Sequence, residues 1–372
     1  MNARWAPWLF LLICAILPFA TTLFTGRVLG PTEHIQRMIT PDAPVPSTGW
    51  DVLQADGVLQ FLPWRDLVFE SWRNFEAPIL NPYQLAGQPL TGNSQSGGFY
   101  PLHILFAFLP FTTGLKIIFL AILHGFIGAM GLRALLKSLG TSESAALVGG
   151  VTFVLSQFMI AWSPLASVTT TVAWIPWLLY GMTASTKREC FFASAFGLSM
   201  MLLGGHLQFA AYGLMAMVVA LAIRAFGKEK AMLVPALVGL IAGAAIAMPQ
   251  VSLVLANSQT SHRKNTPTPE GYKAYQNGAL APFEAISLVH PKLLGDTQLV
   301  SEELKAQNVP NGYWPMYRKL GSNPAECALW LSPVALTFAV IGIFLSKQRA
   351  MCALGGGLVI LGSLLAFGSP LN

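Results

Sequence analysis

The chain has 372 residues, 54% of them hydrophobic and only 10% charged, with a mean hydropathy of +0.56. Those values exclude an ordinary soluble domain, in which roughly a quarter of residues carry charge, and define a polytopic membrane protein. The net charge of +6 does not point to nucleic acid, because many of the basic residues sit in short connections between apolar runs and form no basic stripe.

Taken in order, Trp5 to Phe24 is an apolar run of the length that spans a bilayer, preceded by Arg4. No clear small-x-small cleavage site follows it, so it reads as an uncleaved anchor rather than a signal peptide. Residues 26–99 then form a first long loop rich in groups that carry charge: Asp51, Asp56, Asp66, Glu70 and Glu76 with Arg65 and Arg73, interleaved with Trp64, Trp72, Tyr83, Phe99 and Tyr100. Within it Val58, Leu59, Leu62, Leu67, Val68 and Phe69 recur near helical spacing. That pattern predicts an amphipathic helix on the bilayer surface.

The next apolar region starts near Tyr100, breaks at Pro110 and continues to Leu136. Ala145 to Trp162, Val168 to Met182, Phe191 to Leu203, Phe209 to Ala225 and Ala231 to Leu255 follow as predicted spans, the third of these being short for a full crossing. A second polar loop covers 256–325, and the last spans are Cys327 to Leu345 and Met351 to Phe367. Placing Arg4, Arg133/Lys137, Lys187/Arg188, Arg224/Lys228/Lys230 and Lys347/Arg349 on the cytoplasmic side gives a consistent alternation over about nine transmembrane helices. Both long loops are then extracytoplasmic. The abrupt end at FGSPLN predicts that the chain is the N-terminal part of a longer protein. The four cysteines show no C-x-x-C spacing, and no internal repeat or Walker-type loop is present, so neither a zinc site nor ATP is expected.

Five segments stand in an order that resembles the bacterial YfhO family of the GT-C superfamily of polyprenyl-phosphate-sugar glycosyltransferases. They are Asp56-x-x-x-Gln60-Phe61 followed by PWR, NPYQLAGQPLTGNSQSGGFYPLH, GHLQFAAY from Gly205 to Tyr212, PQVSLVLANSQTSHR from Pro249 to Arg263, and Asn323 to Trp330. The resemblance implies an all-α, GT-C-like membrane protein of the bacterial inner (plasma) membrane with a cytoplasmic N-terminus. It further implies transfer of a sugar from a polyprenyl-phosphate donor to a cell-envelope acceptor on the outer face, with inversion. A transporter or flippase of lipid-linked cargo, and a noncatalytic scaffold for envelope assembly, are the alternatives. Apart from Lys116 and His124, the spans are nearly empty of ionisable residues, which favours chemistry outside the membrane over transport through it.

Direct displacement needs a base on the acceptor side and a cation at the departing phosphate. Asp56 is the first candidate for the base by its place in the D-x-x-x-Q-F pattern, with Asp51 in reserve; either can instead cap a helix. The two can share a divalent metal, but without a D-x-D pair metal dependence stays open. Arg263, at the outer end of the seventh span, and Arg65 are candidates for the donor phosphate, against lipid headgroups as the alternative. His206 and Gln208 are polar residues in an apolar stretch at a predicted helix end. Asn93 can bind sugar hydroxyls or simply make a turn, and Glu326 can face a cavity or cap the eighth span.

Overall fold

A computed structural model describes residues 5–46, 52–227, 230–260, 268–295, 325–347 and 349–367. The chain is mostly helical, with one two-stranded antiparallel pairing of Leu80–Asn81 with Gln88–Pro89. Among the described residues, five stretches are long and apolar enough to cross a membrane: Ala6–Thr25, Thr113–Ser138, Glu143–Ala161, Leu207–Phe226 and Lys230–Ser258. The all-α membrane class expected from composition therefore holds.

The first stretch contains α1 (Ala6–Ile16) and α2 (Ala20–Thr25), joined by a short 3-10 turn around Pro18. α3 (Thr32–Ile39) follows. Residues 52–73 form a second continuous helical stretch: α4 (Val52–Asp56), a π-helical turn Gly57–Phe61, and α5 (Leu62–Arg73). The expected amphipathic helix thus exists, and its apolar face is packed into protein, with Trp64, Arg65, Val68 and Phe69 all buried.

α6 (Pro101–Ala107) leads to α7 (Thr113–Ser138), whose start is fixed by the Thr112 hydroxyl accepting from the Leu115 N–H. α8 (Glu143–Val154) and α9 (Gln157–Ala161) begin on serine caps, Ser142 and Ser156. The apolar run expected to span as Val168–Met182 is divided into α10 (Ala166–Val172) and α11 (Ile175–Thr183). Pro176 supplies the reason, since a residue without an N–H belongs in a first turn and not in a helix interior.

α12 (Lys187–Leu203), α13 (Leu207–Phe226) and α14 (Leu233–Ser258) complete the packed core. The second loop contributes α15 (Pro269–Gly278). α16 (Pro333–Leu345) and α17 (Arg349–Ala366) are apolar but carry mostly exposed side chains. α12 and α14 run in the same direction and touch backbone to backbone. A Cβ added at Gly243 would lie 2.5 Å from the Ala195 carbonyl oxygen, and one at Gly239 would collide with the Phe191 carbonyl. The Gly239-x-x-x-Gly243 spacing is therefore what allows the two helices to meet.

Side-chain contacts separate two ends of this bundle. At one, Arg133 pairs with Glu143 at 2.6 Å, the Ser138 and Thr183 hydroxyls bond at 2.6 Å, and Arg224 reaches the C-terminus of α11. Lys137, also near Glu143, stands at this end with Arg133 and Arg224. At the other, Gln250 of α14 donates to the Leu203 carbonyl at 3.0 Å and accepts from the Phe99 N–H, Asn257 donates to the Gly92 carbonyl, and Gln157 donates its N–H to the Trp330 carbonyl while its side-chain oxygen accepts from the Trp330 N–H. This end gathers the polar loop residues.

Candidate active site at the polar end

Asp56 is half-buried inside a helix, where no free N–H is left for it to cap; its Oδ1 accepts from the Gln60 amide at 2.7 Å. The helix-cap account is thereby corrected. Between these two residues the backbone takes a π-helical turn, shown by the Leu62 N–H reaching back to the Gly57 carbonyl. A π-turn holds one more residue than an α-turn and is found mostly where function requires it. It also changes the phase of the helix: nine residues at 100° each would set Asp56 and Arg65 about 180° apart, and the extra residue reduces this to roughly 80°. Along the axis they stand about 13 Å apart.

Around Asp56 the structure assembles segments that are remote in sequence. Gln54 donates to the Ala161 carbonyl at 2.9 Å, and Gly57 lies so close to Pro164 that an added Cβ would be 3.1 Å from it. Trp162, next to Pro164, donates its indole N–H to the Ala325 carbonyl at 2.9 Å, which brings in the turn carrying Glu326. Trp162 also packs edge-on against Phe209 at 5.7 Å, and Phe209 meets the His206 ring at 4.8 Å. Asp56, His206 and Glu326 thus border one aromatic cluster built on Phe61, Trp64, Trp162 and Phe209. Glu326 itself is exposed.

His206 is placed by its backbone. Its N–H donates to the Thr171 hydroxyl at 3.1 Å, and the preceding Gly205 takes φ of +96° against the Ser94 carbonyl, where a side chain would be both strained and obstructed. Burial pulls the imidazole down from 6.5 to about 4, so the ring is neutral near pH 7. Its Nδ1 is buried without a hydrogen-bond partner. Gln208, by contrast, is exposed and bonds Tyr212 on its own helix at 2.7 Å, so it does not join the cluster.

Arg65 occupies the other flank of α5 and is fully buried. One terminal nitrogen donates to the Ser96 carbonyl, while Nε and Nη2 have no partner among the described residues. Asp66 and Glu70, the carboxylates near it in sequence, are both exposed, and Asp66 accepts from the Thr113 hydroxyl. Burial brings the guanidinium down from 12.5 to about 9, which leaves it cationic at neutral pH. Nearby His103 donates from Nδ1 to the Gly97 carbonyl at 2.8 Å, leaving Nε2 as an acceptor with no partner, and the Ser96 hydroxyl is likewise unpaired. Sequence reasoning missed His103 and Ser96, although both lie in the quoted NPYQLAGQPLTGNSQSGGFYPLH segment.

Asn93 opens the short 3-10 turn Ser94–Ser96 of this same wall, its carbonyl accepting from the Ser96 N–H at 3.1 Å, as the turn reading has it. Gln95 accepts from Ser167 at 3.2 Å and ties the wall to α10. Beside it runs a hydrogen-bonded series of fixed direction. A backbone carbonyl can only accept, so His124 donates from Nδ1 to Leu120 at 2.6 Å and presents a bare Nε2 to the Tyr100 hydroxyl at 2.7 Å; the same Tyr100 oxygen accepts from the Trp174 indole at 2.8 Å.

Asp51 and Arg263 lie outside the described residues. Among the described residues no three His, Cys, Asp or Glu side chains converge as metal ligands. Chemically, the polar end offers a half-buried carboxylate oriented by an amide, a neutral imidazole, and a buried cation with two unused donors. No family model, curated protein or solved structure matches the chain.

Proposed function

We propose that this protein is a GT-C-type membrane glycosyltransferase of the YfhO kind, moving a sugar from a polyprenyl-phosphate donor to a cell-envelope acceptor on the outer face of the bacterial inner membrane. The observation that carries this reading is Asp56 held by Gln60 across a π-helical turn, on the helical stretch that also bears the under-bonded Arg65. In the proposed reaction Asp56 takes the proton from an acceptor hydroxyl as its oxygen bonds to the anomeric carbon. The bond from that carbon to the phosphate oxygen breaks on the opposite face, which inverts the centre. Arg65, with Arg263 from the second loop, receives the departing phosphate in charge-assisted hydrogen bonds.

This reading includes about nine crossings, with the basic turns cytoplasmic and residues 26–99 and 256–325 outside. Single cysteines near Lys187 and Lys273, in a background lacking the native four, should differ: an impermeant reagent applied to intact cells labels the second and spares the first. Reversed labelling would overturn the orientation.

The rival reading is transport of lipid-linked cargo, resting on Lys116 and His124 inside one helix. Both are committed to protein groups, Lys116 to the Ala107 carbonyl at 3.2 Å and the Phe69 ring, and His124 to Tyr100 and Leu120. The purified chain reconstituted in lipid with a labelled polyprenyl-phosphate sugar separates the two. Glycosylated acceptor supports the transferase; movement of label across the bilayer without any new glycosidic product supports transport.

A further inference from the structure

At the basic end, α12 and α14 leave a cleft of about 590 Å³ between their first turns. Its walls are Phe191 and Phe192 on one side and Ala231, Val234, Pro235 and Val238 on the other, and Lys187 and Arg188 line it at the helix end. The two helices meet at Gly239 and Gly243, so the cleft is the space left where their close contact stops.

Charge and apolar surface are divided along this cleft. Lys187 and Arg188 are exposed, and among the described residues neither lies within ion-pair distance of a carboxylate. Glu189, the acid nearest in sequence, is turned to its own cap, accepting from the Thr186 hydroxyl at 2.6 Å. Arg188 rests over the Phe192 ring at 6.0 Å, which holds its stem against the apolar wall. One turn further in, Phe192 stacks on Phe196 at 6.3 Å, and Phe196, Val234 and Val238 are all about half exposed or more. Among the described residues, the inner part is lined by apolar side chains. Two exposed cations at the end of a helix pair and an apolar trough leading away from them match an amphiphile with an anionic head and a hydrocarbon tail.

We infer that this cleft binds an anionic glycerophospholipid, with the phosphodiester between Lys187 and Arg188 and an acyl chain along Phe192, Phe196 and Val238. The site is independent of the transferase reading, since it lies at the opposite end of the bundle. A zwitterionic lipid presents the same tail but adds an ammonium group that the two cations repel, so the cleft selects on the head.

The test uses the full chain, purified in detergent and exposed to equimolar phosphatidylglycerol and phosphatidylcholine, with retained lipid counted by native mass spectrometry. Wild type should keep phosphatidylglycerol in preference. Lys187→Ala with Arg188→Ala should reduce that retention by about thirtyfold, the loss of two headgroup contacts. Val238→Trp fills the trough without altering charge and should also release lipid, whereas inorganic phosphate added to wild type should not displace it. Equal retention of the two lipids by wild type, undiminished retention in the double variant, or displacement by phosphate alone would each overturn the proposal. Thermal unfolding of each variant shows that loss of lipid is not loss of fold.

Discussion

Two buried arginines mark the two ends of the bundle, and they are treated in opposite ways. Arg224 at the basic end donates to the Met182 and Ala184 carbonyls and approaches the Cys190 sulfur at 3.7 Å, so it completes the acceptors left open where α11 stops. Arg65 at the polar end is as deeply buried but keeps two nitrogens without partners. A cation that closes a helix end is architecture. One that is desolvated and left short of acceptors costs stability, and such groups are retained where they do something else.

The largest test of this contrast is to replace each arginine by methionine. Arg224→Met leaves helix-end carbonyls unpaired, and we expect the protein to lose about 3 kcal/mol of stability. Arg65→Met should leave stability within about 1 kcal/mol of wild type or raise it, because an apolar side chain suits that site better than an under-bonded cation. Donor binding should fall in the second variant only. Thermal unfolding together with a donor-binding titration reads both, and equal destabilisation by the two substitutions would erase the distinction.

Asp56→Asn comes next. The amide keeps the shape of the side chain and can still meet Gln60 after a flip, but it cannot take a proton, so transfer should fall by roughly 100-fold or more while unfolding is little changed. Turnover near normal in a stable variant would remove Asp56 from the mechanism. Tyr100→Phe asks whether the polar end is uniformly under-bonded. It strips partners from Trp174 and His124 together and should lower stability by about 2 kcal/mol. A negligible loss would mean that this series is no better satisfied than Arg65.

A smaller effect is expected from pH. His206 titrates at about 4 when folded and near 6.5 when unfolded, so the unfolded chain binds the extra proton between those values. Its contribution is complete above about pH 6.5 and is lost as pH falls toward 4. With the ring partly exposed, the size is about 1 kcal/mol. His206→Gln should flatten the unfolding midpoint across that window, and an unchanged slope would contradict the assignment. Smallest of all, Gln208→Ala should change stability by a few tenths of a kcal/mol and leave transfer alone, because its one bond lies on the helix surface.

Much of the architecture could be read from the chain because its signals are local. Thr112, Ser142, Ser156 and Thr186 cap the helices they precede, as hydroxyl side chains ahead of helical runs do. The site was legible only in pieces. Asp56 stands out by its D-x-x-x-Q-F pattern and His206 as a polar residue in an apolar stretch, but their common border with Trp162 and Ala325 depends on contacts such as one across 163 positions, which periodicity does not encode. The π-turn was invisible because one inserted residue leaves the apolar spacing near helical. The burial of Arg65 was equally hidden, since it depends on the Ser96 turn packing against it from 31 positions away.

The hydrogen-bonded series from Trp174 through Tyr100 and His124 to Leu120 bears on how charge can move here. A proton wire needs every member to accept on one side as it releases on the other, and it needs an entrance and an exit. This one starts at an indole nitrogen that does not give up its hydrogen and stops at a peptide oxygen that does not take one. Its polarity is locked, so no hop can reset it. The row therefore works as a fixed brace, tying α7 to the start of α11 without offering a path for protons along itself.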